Sequence, residues 1–114
     1  MEIYFPDAER RRLFCTGSAL RARFGDALAE TICSRLQLLK KARTLALVPV
    51  RAPIDRRNDI QHPGSYTVAL GAGHRLIFEA VDSNLAATAC TNPDEIHAVR
   101  VITVAEVPNK DSEK

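Results

Sequence analysis

The stretch that decides the fold is SYTVALGAGHRLIFEAV, residues 65–81, which reads as two alternating apolar runs around a glycine-bearing break. The apolar members of the two runs are Tyr66, Val68, Leu70, Leu76, Phe78 and Ala80. Successive side chains of a β-strand point to opposite faces, so this alternation predicts two strands with one apolar face each. The Gly-Ala-Gly between them predicts a hairpin turn in which glycine supplies the positive φ angle.

Two further strands are predicted on either side of this hairpin. The run IHAVRVITVAEV, residues 96–107, is rich in β-branched residues and predicts a long strand. The opening EIYF, residues 2–5, predicts a short one.

Helices are predicted between the short first strand and residue 42. Pro6 and Asp7 mark a helix start, and Gly17 and Ser18 interrupt that first helix. Over residues 19–42 the apolar residues recur every three or four positions, which predicts one long amphipathic helix.

The element order predicts an α+β domain. Residues 44–64 contain three prolines and predict a turn of helix followed by an exposed loop. We expect an N-terminal helical hairpin packed on one face of a small, mainly antiparallel β-sheet. Residues 1–108 should form a single domain, and residues 109–114 a flexible polar tail.

Composition and charge bound the class of protein. The chain has 114 residues, of which 46% are hydrophobic and 26% charged, as in ordinary globular domains. No apolar run reaches the roughly 20 residues that cross a bilayer, so we expect a cytoplasmic protein with no membrane association. Residues 1–57 carry 12 Lys and Arg against 6 Asp and Glu (+6), and residues 58–114 carry 4 against 8 (−4), giving the net +2. The basic half favours a polyanionic or acidic partner.

Several kinds of chemistry are excluded by the motifs. The glycines at 71 and 73 precede a strand rather than a helix, which argues against a dinucleotide-binding loop. The three histidines have no metal-ligand spacing, and no nucleophile elbow is present. We therefore expect no metal and no cofactor. The three cysteines form no C-x-x-C pair, and we expect them to be small buried apolar residues.

What remains is a group of arginines at one edge of the predicted sheet. They are Arg56 and Arg57 in the loop, Arg75 on the second hairpin strand and Arg100 on the last strand. Arg75 alternates with Leu76, so it should leave the sheet on the opposite face. Guanidinium groups gathered on an exposed face suit phosphate binding, although ordinary surface arginines would give the same pattern.

The sequence resembles a known family over nearly its whole length, residues 3–110. The pieces ALRARFGDALAETICSRLQLLKKARTLALVP, YTVALGAGHRLIFEAV and AVRVITVAEV, in this order with a basic loop between, are similar to the RelE/ParE superfamily of toxins, and most to its HigB-like killer proteins. The resemblance implies a RelE-like fold. It also implies a toxin of a type II toxin–antitoxin system that cuts messenger RNA on the ribosome and is neutralised by a cognate helix-turn-helix antitoxin.

The resemblance also implies site residues. Cleavage without a metal uses the RNA 2′-hydroxyl as nucleophile, and the protein must supply a base, an acid and a cation for the phosphate. Arg75 matches the arginine of the family's active-site cleft, and His62 and Glu106 are the candidates for proton transfer. The expected RNA-binding residues are Arg56, Arg57, Arg100, Lys40 and Lys41.

Departures from the family pattern leave the activity open. Relatives often end the last strand with an acidic residue, a tyrosine and a histidine, where this chain has Glu106, Val107 and Pro108. The loop "RRNDIQHPGSY" contains no lysine. One alternative is therefore a catalytically degenerate protein that only binds antitoxin or nucleic acid. Another is a ParE-like gyrase inhibitor.

Overall fold

The structure is a computed structural model that describes residues 1–59, 64–71, 73–82, 84–88 and 92–106. Within these residues the chain forms three α-helices and five β-strands, which confirms the predicted α+β class. The helices are α1 (Ala8–Cys15), α2 (Gly17–Phe24) and α3 (Asp26–Lys41). The strands are β1 (Glu2–Tyr4), β2 (Arg57–Asn58), β3 (Ser65–Gly71), β4 (His74–Ala80) and β5 (Ala98–Glu106). The 109–114 tail lies outside the described residues.

The helical region differs from the prediction at one point. The helix start is where Asp7 predicted it, because the Asp7 side chain accepts a hydrogen bond from the Arg10 backbone N–H at 2.7 Å. The long helix predicted over residues 19–42 is wrong, since Gly25 divides it into α2 and α3. Gly25 has φ 87° and ψ 164°, a conformation that essentially only glycine adopts. The chain therefore turns at Gly25.

The five strands form one mixed sheet in the order β1-β5-β4-β3-β2. β1 runs parallel to β5, and the other three pairs are antiparallel, in agreement with a mainly antiparallel sheet. β3 and β4 form the predicted hairpin, and Gly71 and Gly73 at its turn both have positive φ. The turn fixes the register in which Arg75 lies beside Ala69.

The two faces of the sheet have different surroundings. Alternate residues of β3, β4 and β5 are buried with side chains from all three helices in one apolar cluster. The central members from the sheet are Tyr66, Val68, Leu76, Phe78, Val99 and Val101, and those from the helices are Phe14, Leu20, Ile32 and Leu39. The helices therefore lie on one side. The intervening residues form the other side, which we call the open face and define by Thr67, Arg75, Ile77, Glu79 and Arg100.

The segment after α3 packs along the edge of β3. It contains a 3-10 helix at Leu45–Leu47, in agreement with the predicted turn of helix. The short strand β2 follows, where the sequence predicted only a loop. The Ala69 N–H donates to the Ile54 carbonyl at 2.7 Å, and the Arg35 Nε donates to the Ala69 carbonyl at 2.8 Å. The first bond and the β2–β3 pairing hold this segment along the edge of β3, and from there Asp55 reaches Arg75 on the open face.

Two smaller points complete the fold. Cys15 is exposed and Cys33 is half-buried, so the expectation of buried cysteines is wrong for Cys15, and Cys90 lies outside the described residues. In the part of the chain that the structure describes, no helix has the length and apolarity needed to span a bilayer.

The Gly25 turn gives a stability prediction. Gly25→Ala should lower the free energy of unfolding by about 1–3 kcal/mol, because a side chain strains this backbone conformation. An added Cβ would meet no atom within 4 Å, so the loss is a backbone effect. The measurement is urea unfolding followed by circular dichroism.

Gly17→Ala is the matched control, because Gly17 begins α2 and an added Cβ would meet only the end of the flexible Arg21 side chain, at 3.3 Å. It should stay within about 0.5 kcal/mol of the parent. Equal losses in the two variants would contradict the turn assigned to Gly25.

Candidate nucleic-acid interface

Arg75 is the central charged residue of the open face. Its side chain is only 13% exposed. The Nε donates to Thr67 Oγ1 at 2.7 Å, Nη1 lies 3.2 Å from Asp55 Oδ2, and Nη2 donates to the Asp55 carbonyl. A second Nη2 contact reaches the Thr67 carbonyl at 3.5 Å. The guanidinium is thus fixed to β3 on one side and to the loop before β2 on the other.

The neighbours of Arg75 explain why its long side chain lies along the sheet. Arg75 pairs with Ala69 on β3 and with Ala105 on β5, two residues with small side chains. Thr67 is two positions from Ala69 on β3, and diagonal neighbours at this spacing are within reach of a long side chain. The small neighbours leave space for the guanidinium to cover them and to reach Thr67.

Asp55 links two arginines through one carboxylate oxygen. Its Oδ2 is 3.0 Å from Arg57 Nη2 and 3.2 Å from Arg75 Nη1. Partial burial raises the pKa of the Asp55 carboxyl, but hydrogen bonds from Arg57 and Arg75 outweigh this effect and hold the pKa below its ordinary value of 3.8. Asp55 is therefore ionised at neutral pH. These two guanidinium groups and one carboxylate carry a net charge of +1, and we call them the Arg57–Asp55–Arg75 cluster.

The two adjacent loop arginines have different roles. Arg57 is paired with Thr67 in the β2–β3 register and its side chain is 60% exposed, so it presents charge to solvent beside Arg75. Arg56 points elsewhere: its Nε donates to the Val48 carbonyl at 3.0 Å. Burial lowers the pKa of the Arg56 guanidinium, although interaction with Tyr66 partly opposes this. Arg56 thus anchors the loop, and Arg57 is the accessible cation.

Arg100 lies on the same face but in a separate ion pair. It is opposite Glu79, and its Nε and Nη2 are both 2.7 Å from Glu79 Oε2. Its Nη1 also donates to the Leu85 carbonyl at 2.8 Å. Glu79 is four residues from Arg75 along β4, a separation of about 13 Å. Arg100 and Glu79 form a neutral pair at a distance from the Arg57–Asp55–Arg75 cluster.

The structure does not bring Glu106 to Arg75. Glu106 pairs with His74, and Ala105 pairs with Arg75, so Glu106 leaves the sheet on the side of Leu76 rather than on the open face. His62 lies outside the described residues.

The two lysines are also separate from the arginines of the open face. Lys40 and Lys41 are exposed in the last turn of α3, on the helical side of the sheet. Of the site residues predicted from sequence, Arg57 and Arg75 are therefore the two that the described structure places together.

Two members of the site were missed by sequence reasoning. Asp55 follows Pro53-Ile54 in the loop, and nothing local indicates that its carboxylate meets β4. Thr67 could have been found from the sequence, because it lies on the polar face of β3, the same face of the sheet as Arg75. A hairpin register that pairs Ala69 with Arg75 places Thr67 two residues from that partner, within reach of the arginine side chain.

Comparisons of this chain with protein-family models, with curated proteins and with solved structures found no match.

The contact between Thr67 and Arg75 gives a second prediction. Thr67→Val removes the hydroxyl that accepts from Arg75 Nε while keeping a β-branched side chain suited to a strand. The half-buried N–H then loses its partner, and the free energy of unfolding should fall by about 1 kcal/mol. The measurement is again urea unfolding.

Thr103→Val provides the comparison on the same face. Thr103 lies opposite Ile77, and its hydroxyl reaches the Val104 carbonyl only at 3.5 Å. We expect a change within about 0.5 kcal/mol. If Thr67→Val were no more destabilising than Thr103→Val, the hydroxyl would not be holding Arg75.

Proposed function

We propose that this protein is a cytoplasmic toxin of the RelE/ParE type, similar to the HigB-like killer proteins. Its activity is cleavage of messenger RNA on the ribosome, and a cognate helix-turn-helix antitoxin neutralises it. The proposal begins from the sequence resemblance. The observed order of one strand, helices and then paired strands supports it, because that order, with the helices on one face, is what the resemblance implies.

The observation that carries the proposal is the Arg57–Asp55–Arg75 cluster on the open face. Arg75 is held in place by Thr67 and by the Asp55 carbonyl, and Arg57 beside it is exposed. A net positive charge next to a fixed guanidinium suits an RNA phosphate, since a guanidinium offers two parallel donors and stays charged. In the described structure no helix covers the open face, which leaves room there for single-stranded RNA.

The proposed reaction is an attack by the RNA 2′-oxygen on the adjacent phosphorus. The 2′-hydroxyl gives up its proton, a 2′,3′-cyclic phosphate forms, and the 5′-oxygen of the next nucleotide leaves with a proton. Arg75 would stabilise the negative charge that develops on the phosphate oxygens. The resemblance makes His62 the candidate for transferring a proton. Glu106 is a weaker candidate because the register sends its side chain to the other face.

The second candidate function is binding without cleavage. Two observations favour it: Glu106 and Arg75 leave the sheet on opposite faces, and Asp55 already neutralises one of the two arginines. Such a protein would bind antitoxin or nucleic acid through the same surface. The ParE-like alternative is a gyrase inhibitor with the same fold. The experiment below distinguishes it from an RNA-cleaving toxin.

The experiment is induction of the protein alone, followed by growth measurement and mapping of RNA 5′ ends. Growth arrest with new ends inside translated messages is the expected result, and co-expression of a neighbouring helix-turn-helix gene should restore growth. Growth arrest with DNA breaks and no new RNA ends would support the gyrase alternative. Stable expression with no arrest and no new ends would support the binding-only alternative.

A charge reversal on the open face tests the site. Arg57→Glu should lower the yield of new 5′ ends at least about tenfold, because a second carboxylate beside Asp55 repels the phosphate. Arg57 is exposed, so the fold should survive. The yield is read by primer extension at equal protein levels.

Arg12→Glu is the control for this reversal, since Arg12 is exposed in the last turn of α1, on the helical side, and the change in net charge is the same. The Arg12→Glu variant should give the same yield of new RNA 5′ ends as the parent. If the two variants lost activity to the same extent, total charge rather than the open face would explain the effect.

A further inference from the structure

The Arg57–Asp55–Arg75 cluster has one anion for two cations, and both cations meet at a single atom. Asp55 Oδ2 is within 3.2 Å of a nitrogen from each arginine. The ion pair between Arg100 and Glu79, on the same face, has one cation for one anion. The shared oxygen therefore marks a point on the open face where two guanidinium groups converge on a negatively charged oxygen.

Arg75 does not depend on the Asp55 carboxylate for its position. Its Nε is bonded to the Thr67 hydroxyl and its Nη2 to the Asp55 backbone carbonyl, and only Nη1 is directed at Oδ2. The Asp55 N–H is itself fixed, because it donates to the Arg51 carbonyl at 2.7 Å. The Asp55 side chain can thus rotate away while Arg75 and the backbone stay in place.

The Asp55 carboxylate is accessible enough for a ligand anion to take its place between the two arginines. Its side chain is 26% exposed and that of its partner Arg57 is 60% exposed, so this ion pair is partly open to solvent. Ion pairs that are open to solvent are individually weak, and salt screens them. A phosphate, which has several charged oxygens, can satisfy both guanidinium groups at once.

We propose that the Asp55 carboxylate occupies a phosphate-binding position between Arg57 and Arg75 and must be displaced when an RNA phosphate binds there. Asp55 is then a gating residue that lowers affinity for phosphate, and it keeps Arg57 directed at the position beside Arg75 when no ligand is bound. This inference rests on the proposed function in taking RNA phosphate as the ligand, but the exchange itself is a property of the cluster.

Asp55→Asn is a suitable test variant. Asp55 has φ 53°, in the left-handed region, where asparagine is tolerated at least as well as aspartate, so the backbone should be retained. The amide keeps the shape of the carboxyl group and removes its charge. Asp26→Asn is the matched control, because Asp26 is exposed at the start of α3 and its loss changes the net charge equally.

The experiment is a titration with inorganic phosphate, and then with a short single-stranded RNA, followed by NMR of the arginine side-chain N–H groups. In the parent protein the Arg57 and Arg75 signals should shift, while that of Arg100, paired with Glu79, should not. Asp55→Asn should bind phosphate at least about threefold more tightly than the parent, and Asp26→Asn should bind as the parent does. Thermal unfolding of each variant checks that it is folded.

Three results would overturn the inference. Weaker or unchanged phosphate binding by a folded Asp55→Asn variant would mean that Asp55 only supports the arginines. Equal tightening by Asp26→Asn would mean that net charge alone is responsible. A third variant, Arg57→Gln combined with Asp55→Asn, should lose most of the gain, because only one of the two converging cations remains; a full gain there would also count against the exchange.

These outcomes are independent of toxicity. Phosphate binding at the cluster is measured on the purified protein without ribosomes or cells. If Asp55→Asn tightens phosphate binding while the induced parent neither arrests growth nor cuts RNA, the exchange stands and the proposed cleavage fails. If RNA is cut in cells but Asp55→Asn does not tighten phosphate binding, the proposed cleavage stands and the exchange at Asp55 fails.

Discussion

The burial of alternate residues along β3 and β4 is the constraint on which the rest of the structure depends. Leu76 and Phe78 are fully buried with Val68 beneath the helices. A slip of one residue in register would turn these side chains to solvent and carry Arg75 into the apolar cluster. Burying a guanidinium without a partner is far more costly than any single apolar contact is favourable. The apolar pattern therefore fixes the face on which Arg75 lies.

On the open face, each half-buried arginine needs a partner, and the two partners produce different electrostatics. Glu79 balances Arg100 one to one, whereas Asp55 is shared between Arg57 and Arg75. The positive excess on this face of the sheet is thus concentrated near the β3–β4 turn and the loop before β2. This location, rather than the number of basic residues in the first half of the chain, is what makes phosphate binding a specific proposal. The lysines at the end of α3 lie on the other side.

The fold was predictable to the extent that it depends on local periodicity. The period of two located β3 and β4, and the β-branched run over residues 96–107 contains all of β5. The glycines at the hairpin turn were correctly predicted to have positive φ. The break at Gly25 was not predicted, because Phe24 and Leu28 continue the helical spacing across it. Whether a glycine within such a run bends the chain depends on how the two halves pack, and that information is not local.

The sequence by itself determined that Arg75 lies on the face of the sheet opposite Leu76 and Phe78, because side-chain direction in a strand alternates with every residue. Only the tertiary structure decided what Arg75 meets there. Asp55 is 20 residues away along the chain, and it reaches Arg75 because hydrogen bonds to β3 hold its loop against the sheet. Likewise the β4–β5 register, with its irregularity between Ile77 and Phe78, decided that Glu106 leaves on the helical side. Contacts between distant segments follow from packing and register, and no short pattern of residues encodes them.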